Sequence, residues 1–197
     1  SHANIIRQID FYGPDEEGLT WGFDLDGATS PDGEEESCGH GDFEDPQGRT
    51  GIDNQMSRIW ELIEPVAGSY AQEVILGAIN EGRFLIALEV VGAENFQNDD
   101  NVTLNIFQGM GKPEVGTMGY IAPDQSFFID PDAEMFSLEN VAIVDGVIEV
   151  GPFDYSFPLD ILELRTTAYI RNGFFRFEID ENGFFHGYMG GAFSVPE

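Results

Sequence analysis

The chain has 197 residues, of which 42% are hydrophobic, and this excludes a wholly disordered protein. Its 37 acidic residues outnumber 8 basic ones, and the formal net charge of −29 excludes nucleic acid and anionic membrane surfaces as partners. No apolar run approaches the roughly 18 residues that a membrane span needs. The sequence therefore predicts one acidic domain, residues 1–197, that attracts cations.

The N-terminal part of the chain predicts short strands followed by a long acidic loop. Residues 3–23 favour one or two strands, because Leu19, Trp21 and Phe23 occupy alternate positions. Residues 24–55 are rich in Asp, Glu and Gly and poor in large apolar side chains. A loop of this length inside a compact domain is usually functional or disordered, so it holds the first candidate site.

Two helices are predicted next, over residues 54–67 and 70–81. The short link around Gly68 indicates an αα-hairpin or a bent pair spanning residues 54–81. Gly82 follows at the place of a C′ residue, where positive φ favours glycine. Apolar residues at helical spacing form the side of the first helix that is expected to face the core: Met56, Ile59, Trp60, Ile63 and Val66. The corresponding side of the second helix is formed by Tyr70, Val74, Ile75, Ala78 and Ile79.

Residues 83–195 predict a β-meander. The dipeptides Asp145-Gly146, Asn172-Gly173 and Asn182-Gly183 each separate apolar runs, and they favour two-residue hairpins because type I′ turns need positive φ at both central positions. The fold class is mainly β with a helical pair (α+β): an antiparallel β-sandwich or a curved β-meander sheet, with two helices packed on one face. The strands expected around these turns cover residues 138–144, 147–155, 162–170, 174–180 and 184–194.

The Asp/Gly-rich loop has the composition of a calcium site. Asp24 and Asp26 stand two residues apart before Gly27, so a sharp turn can direct both carboxylates to one centre. The spacing does not fit an EF-hand, and it is that of a degenerate D-x-D-G loop. Asp53 and Asn54, where the first helix starts, can reach back to the same ion. The predicted ligands of a Ca²⁺ cofactor are Asp24, Asp26, Asp32, Asp42, Asp45, Asp53 and Asn54.

The same residues have a simpler interpretation. Asp24 and Asp26 can accept bonds from backbone amides in a solvated turn, and Asp53 and Asn54 can cap the helix. Crowded carboxylates nevertheless repel one another at short range. A divalent ion would convert that repulsion into ordering of the loop, and this favours the calcium hypothesis.

Other chemistry has weaker support in the sequence. Cys38, His40 and Asp42 have a spacing that suits zinc or copper, but they offer only three local ligands, so no closed zinc site is expected. No phosphate-binding loop, nucleophile elbow, zinc-protease motif or dinucleotide fingerprint is present. No catalytic residue is therefore predicted, and a protein without enzymatic activity is favoured.

Four short segments form a distinctive layout: W-G-F-D-L-D-G at 21–27, C-G-H-G-D-F at 38–43, G-I-D-N-Q at 51–55 and N-G-F-F-H-G-Y-M-G-G-A-F at 182–193. This layout resembles a group of uncharacterised secreted bacterial proteins, many of them lipoproteins. The resemblance implies a secreted, cell-surface or periplasmic protein whose signal peptide has been removed, and it implies no activity. The opening Ser1-His2 is typical of a cleaved tag.

The favoured hypothesis is an extracytoplasmic, calcium-binding, non-enzymatic binding or surface module, with an extracellular glycan or protein as its further partner. One alternative is a carbohydrate-binding module or a carbohydrate-active hydrolase. Another is a purely structural acidic domain whose charge suits a saline habitat. The aromatic residues that a sugar-stacking platform could use are Trp21, Trp60, Tyr120, Tyr155, Tyr169 and Tyr188.

Overall fold

The computed structural model describes residues 1–31, 40–133, 135–161 and 164–193. These ranges form a mainly β structure, in which an eight-stranded antiparallel sheet curls and one helix packs against it. The strands are β1 (His2–Ile5), β2 (Leu85–Val91), β3 (Asn98–Met110), β4 (Phe128–Ile129), β5 (Phe136–Val144), β6 (Val147–Ile161), β7 (Leu164–Asp180) and β8 (Gly183–Phe193), and the helix is α1 (Gln55–Asn80).

The strands of the sheet are ordered β1-β2-β3-β5-β6-β7-β8, and β4 pairs with the end of β3. The sheet curls enough to bring its two edge strands together, because the His2 ring in β1 lies 6.4 Å from the Phe184 ring in β8. Of the two architectures predicted from the sequence, the curved antiparallel sheet is confirmed. The described ranges contain one sheet rather than the two packed sheets of a sandwich.

The main core fills the inside of this curl. Alternate residues of a strand point to the same face, so the period-2 pattern of β3 buries Val102, Leu104 and Ile106 to 1% exposure or less. Each such side chain contributes about 1.5–3 kcal/mol by leaving water. The buried members of the cluster are Leu88, Val90, Val102, Leu104, Ile106, Val141, Ile143, Ile148, Phe177 and Ile179.

Two of the three predicted hairpins are present. The Asp145-Gly146 turn is confirmed, with φ of 51° and 76° at its two central residues. The turn at Asn182-Gly183 lies one residue earlier than predicted. Asp180 pairs with Gly183, so Glu181 and Asn182 are the central residues.

The predicted hairpin at Asn172-Gly173 is wrong, because β7 runs straight through these residues. β6 pairs with β7 on both sides of this point, from Val150–Phe175 to Tyr155–Ile170, and the register shifts between. Asn172 has a φ of 50°. The dipeptide therefore forms a bulge in a continuous strand, which uses the same positive φ that a tight turn would need.

The predicted helical pair is also wrong, because α1 continues for 26 residues through the expected link. Gly68 costs a helix only about 1 kcal/mol relative to alanine. Its backbone N–H remains available to the helical ladder, so the helix has no need to end there. The helix ends as predicted before Gly82, which has a φ of 78°.

The second half of the helix packs by the apolar side predicted for residues 70–81, because Ile75, Ala78 and Ile79 join a second core cluster with Phe84 and Leu85 at the start of β2. The side predicted for residues 54–67 is mostly exposed, and Trp60 is the buried one of its five side chains. Within the described ranges, no helix combines the length and apolar character that a membrane crossing requires.

Candidate metal centre

Phe23 fixes the aspartate loop to the sheet. It is 5% exposed, and its ring stacks on Phe174 of β7 at 5.3 Å and lies 5.0 Å from the Tyr188 ring of β8. Gly190 of β8 provides the space, since a Cβ there would lie 2.7 Å from a Phe23 ring carbon. This contact determines where the next residue, Asp24, emerges from the core.

The chain before α1 brings a second carboxylate to the same place. The N–H of Asp53 donates to the Phe23 carbonyl at 2.9 Å. Gly51 makes the close approach possible, because it has a φ of 78° and a Cβ there would lie 2.7 Å from the Ala28 carbonyl oxygen. Asp53 therefore lies against residues 24–28, although the sequence separates it from Leu25 by 28 residues.

The carboxylates of Asp24, Asp26 and Asp53 form a cluster. Each offers one oxygen, and these oxygens lie within 4.8 Å of one another. Ligands of one calcium ion lie about 2.3–2.6 Å from it, so two of them are at most about 5 Å apart. The cluster therefore has the spacing of three ligands on a common ion.

Backbone amides orient each carboxylate of this cluster. Asp24 accepts the N–H of Gly27 at 2.6 Å, and Asp26 accepts that of Ala28 at 2.8 Å. Asp53 accepts the N–H of Leu25 at 2.7 Å. The bonds of Asp24 and Asp26 are the ones expected from the simpler, solvated-turn interpretation, whereas Asp53 accepts from Leu25 instead of capping the helix. Each of them involves one oxygen of the carboxylate, so the second oxygen can serve a cation while the first is held.

The negative charge of Asp53 is unfavourable in the folded protein. Burial raises the pKa of Asp53 above its ordinary value, and the charges of Asp26 and Asp42 add to the rise, while the hydrogen bond from Leu25 opposes it. The ionised form is therefore disfavoured in the folded protein. Either a proton or a bound cation would relieve this cost.

Asp42 lies outside the three-carboxylate cluster, although its charge contributes to the raised pKa of Asp53. Its side chain accepts the N–H of Ser30 at 2.5 Å, and its own N–H donates to the Ser30 carbonyl at 3.1 Å. Asp32 and Cys38 lie outside the described residues. His40 is exposed to solvent. Among the described residues predicted as ligands, Asp42 is therefore the candidate for a fourth carboxylate.

Asp45 has a different environment from the other predicted ligands. It is 1% exposed, and its carboxylate accepts the Arg49 side chain at 2.6 Å and the backbone N–H groups of Gln47 and Arg49 at 2.9 and 2.8 Å. Burial alone would raise the pKa of Asp45, but these bonds together lower it. Its charge is therefore already compensated by arginine.

Asn54 is engaged as the cap of α1. Its side-chain oxygen accepts the N–H of Ser57 at 3.0 Å. Its amide nitrogen donates to the Trp21 carbonyl at 2.7 Å. The side chain therefore links the helix start to the segment that precedes Phe23.

An arginine network that the sequence analysis missed joins the aspartate loop to the sheet. Arg49 donates to the Tyr188 hydroxyl and lies 3.3 Å from Glu149, and Arg176 lies 2.9 Å from the same Glu149 oxygen. The only sequence signal is the presence of a rare arginine within the acidic loop. Its partners Glu149 in β6 and Tyr188 in β8 lie 100 and 139 residues away and could not be inferred.

A second candidate site is a shallow, open cleft where β5 and β6 separate after pairing at Ile143–Ile148. Its volume is about 280 Å³. The Phe136 and Tyr155 rings are 4.8 Å apart in its wall, and Arg171 lies 3.7 Å from Asp154 at its rim. Tyr169 is 55% exposed. The walls also include Ser156 and Ile170.

Comparisons with protein-family models, with curated proteins and with solved structures found no match to this chain. The function therefore has to be argued from the geometry of the sites, since a curled β-sheet alone implies none.

Proposed function

We propose that this protein is a non-enzymatic, calcium-binding surface or binding module of an exported protein. The observation that carries the proposal is the convergence of Asp24, Asp26 and Asp53 within 4.8 Å, from two parts of the chain. Asp42 is the proposed fourth carboxylate. Water would complete the six to eight oxygen ligands that calcium takes.

The chemistry of the cluster favours calcium over other metals. All its donors are carboxylate oxygens, which suit hard cations and are poor ligands for soft ones. Asp24 and Asp26 are exposed, and an open site with several water ligands suits the flexible coordination of calcium. We expect a dissociation constant of about 10⁻⁴–10⁻³ M, the range of extracellular calcium modules.

The proposed location is outside the cytoplasm. It is supported by the resemblance of residues 21–27 and 51–55 to secreted bacterial proteins. A calcium site of millimolar strength would be filled in an extracellular medium. The glycan or protein that such a module would bind is part of this proposal.

Calcium should stabilise the wild-type protein, and the substitution Asp53→Asn should abolish the effect. At free calcium ten times the dissociation constant, the expected gain is about 1.4 kcal/mol, or about 3–5 °C in melting temperature. Without metal, Asp53→Asn should be more stable than the wild type at neutral pH, because it removes a disfavoured charge. Thermal unfolding followed by circular dichroism, with calcium or with a chelator, measures both effects.

The pH dependence gives a second readout of the same substitution. The pKa of Asp53 is raised in the folded state, so the stability conferred by its proton is present below the ordinary value of 3.8 and is lost as the pH rises through the raised pKa. The metal-free wild type and Asp53→Asn should therefore differ in stability above that pKa and converge below it.

Asp132→Asn is the matched control, since it removes one exposed negative charge away from the cluster. It should leave the calcium effect intact. Sodium chloride at the ionic strength of the calcium solution tests the purely structural alternative. If sodium stabilises the protein as well as calcium does, or if Asp53→Asn keeps the calcium effect, the calcium proposal is wrong.

A second candidate function is carbohydrate binding at the β5–β6 cleft. The cleft combines the exposed Tyr169 ring with the polar groups of Asp154, Ser156 and Arg171. Sugars are bound by such pairings of an aromatic face with hydrogen-bonding side chains. This observation favours a sugar-binding module over a hydrolase, because Asp154 is the only acidic residue that lines the described part of the cleft.

Replacement of Tyr169 by alanine should weaken binding of any glycan found on an array by about tenfold, corresponding to about 1.4 kcal/mol of lost stacking. Tyr12→Ala, which removes another exposed tyrosine, is the control. Titration calorimetry with the glycan measures the change. An array without a binder, or equal affinity of Tyr169→Ala and the wild type, would remove the support for this function.

A further inference from the structure

One hydrogen bond joins the loop of the aspartate cluster to the middle of the sheet. The side-chain amide of Asn172 in β7 donates to the Leu25 carbonyl at 2.8 Å, across 147 residues of sequence. Leu25 lies between Asp24 and Asp26, and its own N–H donates to Asp53 at 2.7 Å. The backbone that carries two of the clustered carboxylates is therefore held by the third through its N–H and by β7 through its carbonyl.

The same asparagine contacts the wall of the β5–β6 cleft. Its backbone N–H donates to the Asp154 carboxylate at 3.1 Å, and Asp154 lies 3.7 Å from Arg171. Asp154 and Arg171 both line the cleft. A continuous series of polar contacts therefore runs from Asp53 to the cleft through one residue. Asn172 uses its side chain toward the loop and its backbone toward the cleft, so a substitution can remove the first contact and keep the second.

The bulge around Asn172 is tightly packed, so it cannot shift alone. The register of β7 changes here against both of its neighbours, β6 and β8. Gly173 is buried, and a Cβ in its place would lie 3.0 Å from side-chain atoms of both Phe153 and Ile170. At the packing density of a protein interior, a displacement of the bulge is transmitted to these neighbours. Ile170 also lines the cleft, so the cleft wall would move with the bulge.

We propose that Asn172 couples the calcium site to the cleft, so that an ion bound by the three clustered aspartates changes the arrangement of Asp154 and Arg171. This inference rests on the proposed calcium function. Without an ion the clustered carboxylates repel one another. A bound cation attracts them instead and draws the loop together, and the Leu25 carbonyl that Asn172 holds moves with it. By linkage, a cleft ligand that favours the calcium-bound arrangement strengthens calcium binding by the same factor.

Titration of the isotope-labelled protein with calcium, followed by the NMR resonances of its backbone amides, tests the proposal. In the wild type, the resonances of Leu25 and Arg171 should both shift and give the same dissociation constant, because one binding event moves both. Asn172→Gly removes the side-chain donor and keeps the backbone N–H, and glycine adopts the φ of 50° without strain. In this variant the Leu25 shift should persist with a dissociation constant about fivefold higher, and the Arg171 shift should vanish.

Asn140→Gly is the matched control, since Asn140 is an exposed asparagine of β5 with a φ of 57°. It should respond to calcium as the wild type does. The absence of any calcium-dependent shift at Leu25 in the wild type would contradict the calcium proposal, and the coupling with it. A wild-type shift at Leu25 without one at Arg171 would overturn the coupling alone. So would an Arg171 shift that survives in Asn172→Gly.

Discussion

Replacement of Phe23 by alanine should lower the free energy of unfolding by about 3–5 kcal/mol, the range for a buried phenylalanine. Phe23 is 5% exposed and lies between Phe174, Tyr188 and Gly190. Its loss would leave a cavity that the glycine cannot fill. The loss would also release Asp24 from its place beside Asp53. Urea unfolding at equilibrium, with and without calcium, measures the effect.

Phe128→Ala is the control for this substitution, because Phe128 is 80% exposed and its removal should change the stability by no more than about 0.5 kcal/mol. Calcium should stabilise Phe23→Ala less than it stabilises the wild type. A loss of stability as small as that of Phe128→Ala would show that the aspartate loop is not anchored on β7 and β8.

Replacement of Arg49 by methionine should cost about 3 kcal/mol at neutral pH, because it leaves the buried Asp45 charge without its partner. Methionine preserves much of the apolar stem of arginine, so the loss of the charge dominates. The Asp45–Arg49 distance is 2.6 Å, with side-chain exposures of 0% and 34%. The additional substitution Asp45→Asn should recover part of the loss, since no uncompensated charge then remains.

The Arg49 effect should depend on pH. The pKa of Asp45 is lowered in the folded state, so the stability that its ionised form provides is present above the ordinary value of 3.8 and is lost as the pH falls through the lowered pKa. In Arg49→Met the loss should begin at higher pH. Urea unfolding between neutral and acidic pH follows both proteins.

Arg171→Met provides the contrast, because the Arg171–Asp154 pair is 3.7 Å apart with exposures of 71% and 68%. A pair so exposed should contribute about 0.5 kcal/mol or less. Equal effects of Arg49→Met and Arg171→Met would mean that Asp45 gains nothing from its burial beside arginine.

The parts of the fold that depend on local chemistry could be predicted from the sequence. The strand alternation and the turn at Asp145-Gly146 need no information beyond neighbouring residues. Asn172-Gly173 has the same turn chemistry, but β6 and β8 pair with β7 on both sides of it and keep the strand continuous. Gly68 similarly stays helical because the distant contacts of α1 outweigh its weak local preference.

The candidate site was predictable to a similar extent. Asp24 and Asp26 follow from their spacing, and Asp53 follows from the geometry of a helix start. Asp45 lies in the same acidic, glycine-rich sequence, yet its charge is compensated by Arg49. A further partner of Arg49, Glu149, lies 100 residues away. Which acidic residues meet one another and which meet arginine depends on the docking of the loop onto the sheet, and this is a tertiary property.

The packing of Phe23 on the sheet also compensates for the conformational entropy that the acidic loop loses on folding. Asp53 binds the backbone of Leu25 across 28 residues, and closing a flexible loop of that length costs about 3 kcal/mol. Aromatic packing of Phe23 on β7 and β8 offsets this cost in the folded chain without an ion. A cation would therefore bind to ligands that are already assembled, and its association would be fast. Its affinity would fall if the packing of Phe23 on the β7–β8 hairpin were disrupted.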